Sequence, residues 1–157
     1  MVRESAPSIE QLRPDHETAF AELLLRLKAN GDEAVFHPYP LSADAARDLV
    51  RHEGRDLYYV VVDHGRVLGC GMLRGWDEGY DVPSLGIAID PEARGHGLGL
   101  ALMHFLHFVA RQRGSRVVRL TVAAANRRAI ALYERLGYRF TPGSGDDLLG
   151  SLTLDDE

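Results

Sequence analysis

Two short stretches of this chain hold residue types whose spacing can do chemistry. The first reads Ile87-Ala88-Ile89-Asp90-Pro91-Glu92-Ala93-Arg94-Gly95-His96-Gly97-Leu98-Gly99: an apolar strand, a glycine-rich turn and a helix start. A helix start leaves backbone N–H groups unpaired and carries partial positive charge, so it attracts phosphate. Glycines remove the β-carbons that would hold a diphosphate away from those amides. Arg94 adds a cation at the mouth of the turn. A P-loop would end in Gly-Lys-Ser or Gly-Lys-Thr, and a dinucleotide fingerprint would read G-x-G-x-x-G; this turn reads G-x-G-x-G. The bland alternative is a flexible turn before a helix. The second stretch is Asn126-Arg127-Arg128-Ala129-Ile130-Ala131-Leu132-Tyr133-Glu134-Arg135-Leu136-Gly137-Tyr138-Arg139-Phe140. Asn126 and Tyr133 lie about two helical turns apart and so point to one side. Asn126 also suits a plain helix cap, and Tyr133 a half-buried aromatic.

The elements that must position these residues follow from periodicity. Residues 8–12 read as a first strand ended by Pro14. A helix then starts at Asp15 as N-cap, with Phe20, Leu23, Leu24 and Leu27 on one face, and stops at Asn30-Gly31. Ser42 caps a second helix carrying Ala45, Ala46, Leu49 and Val50. Runs 57–62 and 67–73 are strands joined by the turn Asp63-His64-Gly65-Arg66. Residues 75–81 read as an exposed connection, 85–89 as the next strand, and 98–113 as the longest helix. That helix has Leu98, Leu102, Phe105, Leu106 and Val109 on one face and Gly114 at its end. Strand 117–122, helix 126–136 closed by Gly137, and short strands 138–141 and 148–154 complete the chain. The order β-α-α-β-β-β-α-β-α-β-β predicts an α/β (α+β) fold, a mixed sheet with helices packed on it.

Composition sets the bounds. The chain has 157 residues, enough for one well-buried core, so a single domain over 1–157 is expected. No apolar run approaches the roughly 20 residues needed to span a bilayer. The N-terminus leads into no apolar signal core, and the one cysteine, Cys70, cannot form an internal disulfide. A cytoplasmic protein is expected. The formal net charge of −5 disfavours DNA or RNA as a main partner.

Taken together, the two stretches resemble the GNAT N-acetyltransferase superfamily. Arg94, Gly97 and Gly99 match its Arg/Gln-x-x-Gly-x-Gly/Ala loop. Asn126, Ala129, Leu132, Tyr133, Glu134, Gly137 and Tyr138 match its second motif some thirty residues later. The resemblance implies a mostly antiparallel, twisted sheet of six to seven strands with about four helices, split between the strands before and after the central helix. It implies acetyl-coenzyme A as acetyl donor, no metal, a monomer or homodimer, and direct attack of a primary amine on the thioester. Amides of residues 95–99 (Gly95, His96, Gly97, Leu98, Gly99) would hold the pyrophosphate with Arg94 beside them. Backbone groups of Ile87, Ala88 and Ile89 would pair with the pantetheine arm as an added strand would. Asn126 would contact that arm, and Tyr133 would be the general acid for the leaving thiolate. Arg127 and Arg128 would meet phosphate or form a solvated helix end.

An attacking amine must be neutral, so a base or a relaying water is needed. The site many relatives give to a glutamate falls on Pro83, and a second arrangement falls on Asp81, the first candidate; Glu78, Asp77 and His37 follow. The acceptor wall would come from residues 35–40 and 75–80, with His37, Trp76, Asp77, Glu78 and Tyr80 touching the substrate. The plain alternative is an exposed acidic loop. The His-Pro-Tyr-Pro and Gly-Trp-Asp-Glu-Gly-Tyr segments resemble acetyltransferases acting on amino sugars, so a small molecule or amino sugar is expected, with a protein N-terminal or lysine amine as the alternative. A non-catalytic coenzyme A sensor would be expected to have lost Tyr133 or the glycines. His104 and His107 have metal-ligand spacing but are expected on the solvent side of their helix, and Cys70 is expected to be a buried, inert thiol.

Overall fold

A computed structural model describes residues 6–36 and 38–154. His37, expected in the acceptor wall, lies outside the described residues. Eleven elements follow one another: β1 (Ser8–Gln11), α1 (Glu17–Ala29), α2 (Ala43–Leu49), β2 (Leu57–Asp63), β3 (Arg66–Arg74), β4 (Ser84–Ile89), α3 (Leu98–Gln112), β5 (Val117–Ala123), α4 (Arg127–Arg135), β6 (Arg139–Pro142) and β7 (Asp147–Thr153). Their order is the one periodicity predicts.

The strands form one mixed sheet in the order β1-β2-β3-β4-β5-β7-β6. Every neighbouring pair is antiparallel except β4 and β5, which run parallel and are in register only at Ser84 and Arg119. Beyond that point the two strands splay apart, as the resemblance implied. The β2–β3 turn is the two residues His64-Gly65, both at positive φ (51° and 75°), the geometry that suits the twist of a hairpin.

Period-two alternation decides which helices each strand meets. Leu73, Leu85, Val118, Leu120 and Val122 face one side and pack with Leu102, Leu106 and Tyr133 of α3 and α4. Val60, Val67 and Cys70 face the other side, against Phe20, Leu23, Leu24 and Leu27 of α1. Full burial of each such leucine contributes about 2 kcal/mol. Close approach demands Gly71, where a β-carbon would sit 3.0 Å from Leu106 and 3.1 Å from Leu102. On β5, β6 and β7 the second face is exposed.

Three expectations need correction. Asp15 does not cap α1. Pro14 opens a 3-10 turn over Pro14–His16 and leaves Asp15 inside it, while the buried His16 ring accepts the Arg13 N–H at 3.1 Å. Trp76 is not on an exposed connection. It is 7% exposed, sits in the core, and lies under the Arg113 guanidinium at 4.7 Å. The Asp56 carboxylate ties this turn down by accepting the Gly75 and Asp77 amides at 2.9 and 3.1 Å.

His107 is the third correction. It is buried and bonds the Tyr138 hydroxyl at 2.7 Å, while His104 stays exposed. Desolvation, helped by His104 and Arg111, holds its imidazole down to about 4. Below the ordinary imidazole range near 6.5 the unfolded chain therefore binds a proton that the folded chain refuses. Stability contributed here is lost as pH falls from about 6.5 towards 4, by up to about 3 kcal/mol. His107→Gln keeps a polar partner for Tyr138 and removes the titration. In urea unfolding at pH 7 and pH 4.5 the wild type should lose more stability than the variant; parallel losses would refute the assignment.

Candidate active site

The splayed strands and the start of α3 enclose a cleft of about 1530 Å³. Its first wall is backbone. The Asp90 amide bonds the Leu68 carbonyl at 2.9 Å, and this sets the parity of β4. Even-numbered residues exchange hydrogen bonds with β3, so Ile87 and Ile89 turn their backbone groups towards β5. There β5 has already left: its last tie is the Arg119 amide to the Pro83 carbonyl at 3.0 Å. The Ile89 carbonyl accepts the Arg94 Nε at 3.1 Å, which leaves the Ile87 N–H and C=O and the Ile89 N–H open to the cleft.

The second wall is the glycine turn. Asp90 starts it with its side chain, which is 1% exposed, accepting the Glu92 amide at 3.0 Å and pairing with the Arg26 Nε at 2.8 Å. Arg26 also donates to the Val67 carbonyl at 2.9 Å, so α1, β3 and the turn are fastened together. Sequence reasoning missed this anchor, although Asp followed by Pro is a recognisable cap signal. Gly97 then takes φ 85° as N-cap of α3. Among the described residues, the amides of Gly97, Leu98, Gly99 and Leu100 reach no protein acceptor. A β-carbon at Gly95 or Gly97 would meet no protein atom within 4 Å, so the space before these amides is empty of protein. That cradle fits a phosphate group.

Side chains complete the cleft. Asn126 does both things its sequence position allowed: its Oδ1 accepts the Ala129 amide at 3.3 Å, and it lines the cleft with its NH2 unspent. Tyr133 is 7% exposed and packs on Tyr138 with ring centroids 5.7 Å apart. Burial pushes its phenol up to about 12. Arg127 and Arg128 line the cleft, and among the described residues neither has a carboxylate partner. Arg94 is more committed: its guanidinium pairs with Asp32 at 2.7 Å, so it works as a strut between the turn and the α1–α2 connection.

Of the residues singled out by sequence, Ile87, Ala88, Ile89, Arg94, Gly95, Gly97, Leu98, Gly99, Asn126, Arg128, Tyr133, Glu78 and Tyr80 line this one cleft. Four do not. The His96 ring, as distinct from the amide expected to bind, folds back on the Arg94 carbonyl at 2.9 Å. Trp76 is in the core. Asp77 points away, accepting the Arg55 amide and pairing with His52 at 3.0 Å. Asp81 is exposed and outside the cleft, although Tyr80 and Val82 on either side of it line it. Cys70 is buried, and burial pushes its thiol up to about 11, so it is no nucleophile. Among the described residues no helix is long and apolar enough to cross a membrane.

The sequence profile of the acetyltransferase (GNAT) family matches residues 18–138. The chain belongs to this family. An N-acetyltransferase of Methanocaldococcus jannaschii is 44% identical over 52 residues, covering 33% of this GNAT chain and 23% of that protein. The ribosomal protein bS18-alanine N-acetyltransferase of Escherichia coli is 46% identical over 52 residues, 33% of this chain and 35% of that one. The matches thus span about a third or less of the curated relatives' lengths. The crystallised GNAT domain of an S. lividans protein shares the fold, with TM-score 0.81, 17% identity, and coverage of 96% of this chain and 92% of that one.

Proposed function

We propose that this GNAT chain is an acetyl-coenzyme A-dependent N-acetyltransferase that modifies the primary amine of a small molecule. The observation that carries the reading is the row of unpaired amides from Gly97 to Leu100, open to the gap between β4 and β5. When bound, acetyl-coenzyme A supplies an acetyl thioester. The Gly97–Leu100 amides and the guanidinium groups of Arg127 and Arg128 hold its phosphates. The free backbone groups of Ile87 and Ile89 orient its arm as a neighbouring strand would, and the Asn126 NH2 reaches it from the far wall. Tyr133 holds the proton needed by the departing thiolate at its hydroxyl oxygen; with the phenol pushed up to about 12, that proton is in place at neutral pH. Of the acids in the 75–81 segment, Glu78 alone lines the cleft, and it takes the amine's proton directly or through water. Tyr80 borders the same space.

The identity with an enzyme named for an alanine of a ribosomal protein favours a second reading, in which the acceptor is a peptide α-amine. Calorimetric titration with coenzyme A, followed by thiol release from acetyl-coenzyme A with a panel of small amines and peptides, tests both. Micromolar binding and amine-dependent thiol release are expected. No heat and no protection against thermal unfolding would remove the enzymatic reading altogether.

A further inference from the structure

On the face opposite α3 and α4, which is exposed over β5, β6 and β7, side chains of neighbouring strands align in rows. Ser84 pairs with Arg119, Arg119 with Ser151, and Ser151 with Arg139. Partners in register point to the same side of a sheet, so these four form one row across β4, β5, β7 and β6. The next row holds Thr121, Leu149 and Thr141. Both rows border a second cavity of about 460 Å³. Ser84, Arg119 and Thr121 also line the main cleft, so the two spaces share a wall.

The chemistry of this cavity is one-sided. Among the described residues, no acidic side chain lines it. Arg119 and Arg139 are exposed, and among the described residues neither guanidinium has a hydrogen-bond or carboxylate partner. Two unpaired forks flanked by the hydroxyls of Ser84, Ser151, Thr121 and Thr141 form a donor set for a planar or tetrahedral oxyanion. The phosphates held at the glycine turn are not that anion. β4 leads away from Ser84, and Asp90 lies six positions further on, about 20 Å of extended chain. The row therefore lies at the end of the cleft away from the glycine turn.

We propose that Arg119 and Arg139 bind an anionic group on the acceptor, so that the acceptors of this protein are small amines that also carry a carboxylate or a phosphate. This rests on the N-acetyltransferase reading given above. It also explains how a chain with a net charge of −5 can favour a substrate of its own sign: the two arginines set a local positive field at the acceptor end.

Two matched pairs of probes test it: phosphoethanolamine against ethanolamine, and β-alanine against β-alaninamide. Binding is read by calorimetry and by shifts of the backbone amides of β5, β6 and β7, with and without coenzyme A. In at least one pair the anionic member should bind about tenfold more tightly, with shifts centred on Arg119, Ser151 and Arg139. The pair that discriminates tells phosphate from carboxylate. In Arg119→Gln/Arg139→Gln the preference should vanish, and in Arg139→Gln, whose residue lies outside the main cleft, coenzyme A affinity should stay within about twofold. Should the double variant unfold, Arg139→Gln on the edge strand carries the test, with about a threefold loss expected. No discrimination in either pair, or discrimination that survives the substitutions, overturns the proposal. Failure of coenzyme A to bind would sink the enzymatic reading instead, since the anion preference is measured without it as well.

Discussion

Tyr133→Phe is expected to lower kcat by about 10²- to 10³-fold, with coenzyme A affinity kept within about twofold. The ring fills the same buried space against Tyr138, so packing hardly changes. What is lost is the hydroxyl of a residue that lines the cleft. Without it the thiolate leaves unprotonated, and single-turnover kinetics should locate the loss in the chemical step. The pH profile makes a sharper test. Burial pushes the Tyr133 phenol up to about 12, so it keeps its proton across the range from about 6 to 10. A wild-type rate limited by this acid should rise with pH as the amine loses its proton and show no fall before about pH 10. A fall in rate near pH 8 or 9 would assign the acid to another group. Unchanged kcat in the variant would dismiss Tyr133 from the chemistry.

The glycine turn and the Asn126–Tyr133 helix were legible because their geometry is local. Glycines ahead of an amphipathic helix, and a cap followed by a tyrosine two turns on, need no knowledge of distant partners. Element order was legible for the same reason. His107 was misread because the apolar face of α3 was drawn too narrowly. Met103 and Ala110 are fully buried, and His107 lies between them at helical spacing, on a stripe that turns towards Tyr138. The signal was present in Met103, His107 and Ala110; the partner that makes a histidine tolerable there comes from 31 residues away.

The acceptor side was hardest to read, since burial there is decided by tertiary contacts. Trp76 follows Gly75 at φ 122° and is pulled inward by Asp56 and covered by Arg113, none of which its neighbours in sequence reveal. The resemblance gave Asp81 a position but no direction for its side chain. Arg119 and Arg139 drew no notice because each looks like an ordinary exposed strand residue. Only the register Arg119–Ser151–Arg139 brings them into one row.

Gly97→Val should weaken coenzyme A binding by at least about 100-fold, and a matched control isolates the cause. Gly97 has φ 85° and Gly114, at the other end of α3, has φ 87°. A β-carbon meets no protein atom within 4 Å at either site. A branched side chain at such a φ costs about 1 to 3 kcal/mol of backbone strain, so both substitutions should destabilise the fold by similar amounts. Only at Gly97 does relief of that strain swing the first amides of α3 out of alignment. Each amide bond to a charged phosphate contributes about 1.5 to 3 kcal/mol, and the loss of two already exceeds a hundredfold. Thermal unfolding and calorimetry on Gly97→Val and Gly114→Val separate the two effects. Equal losses of stability with a loss of affinity at Gly97 alone assign the empty space before the helix to the ligand. Equal affinities in both variants would mean that the glycine at this turn serves only the chain's own conformation.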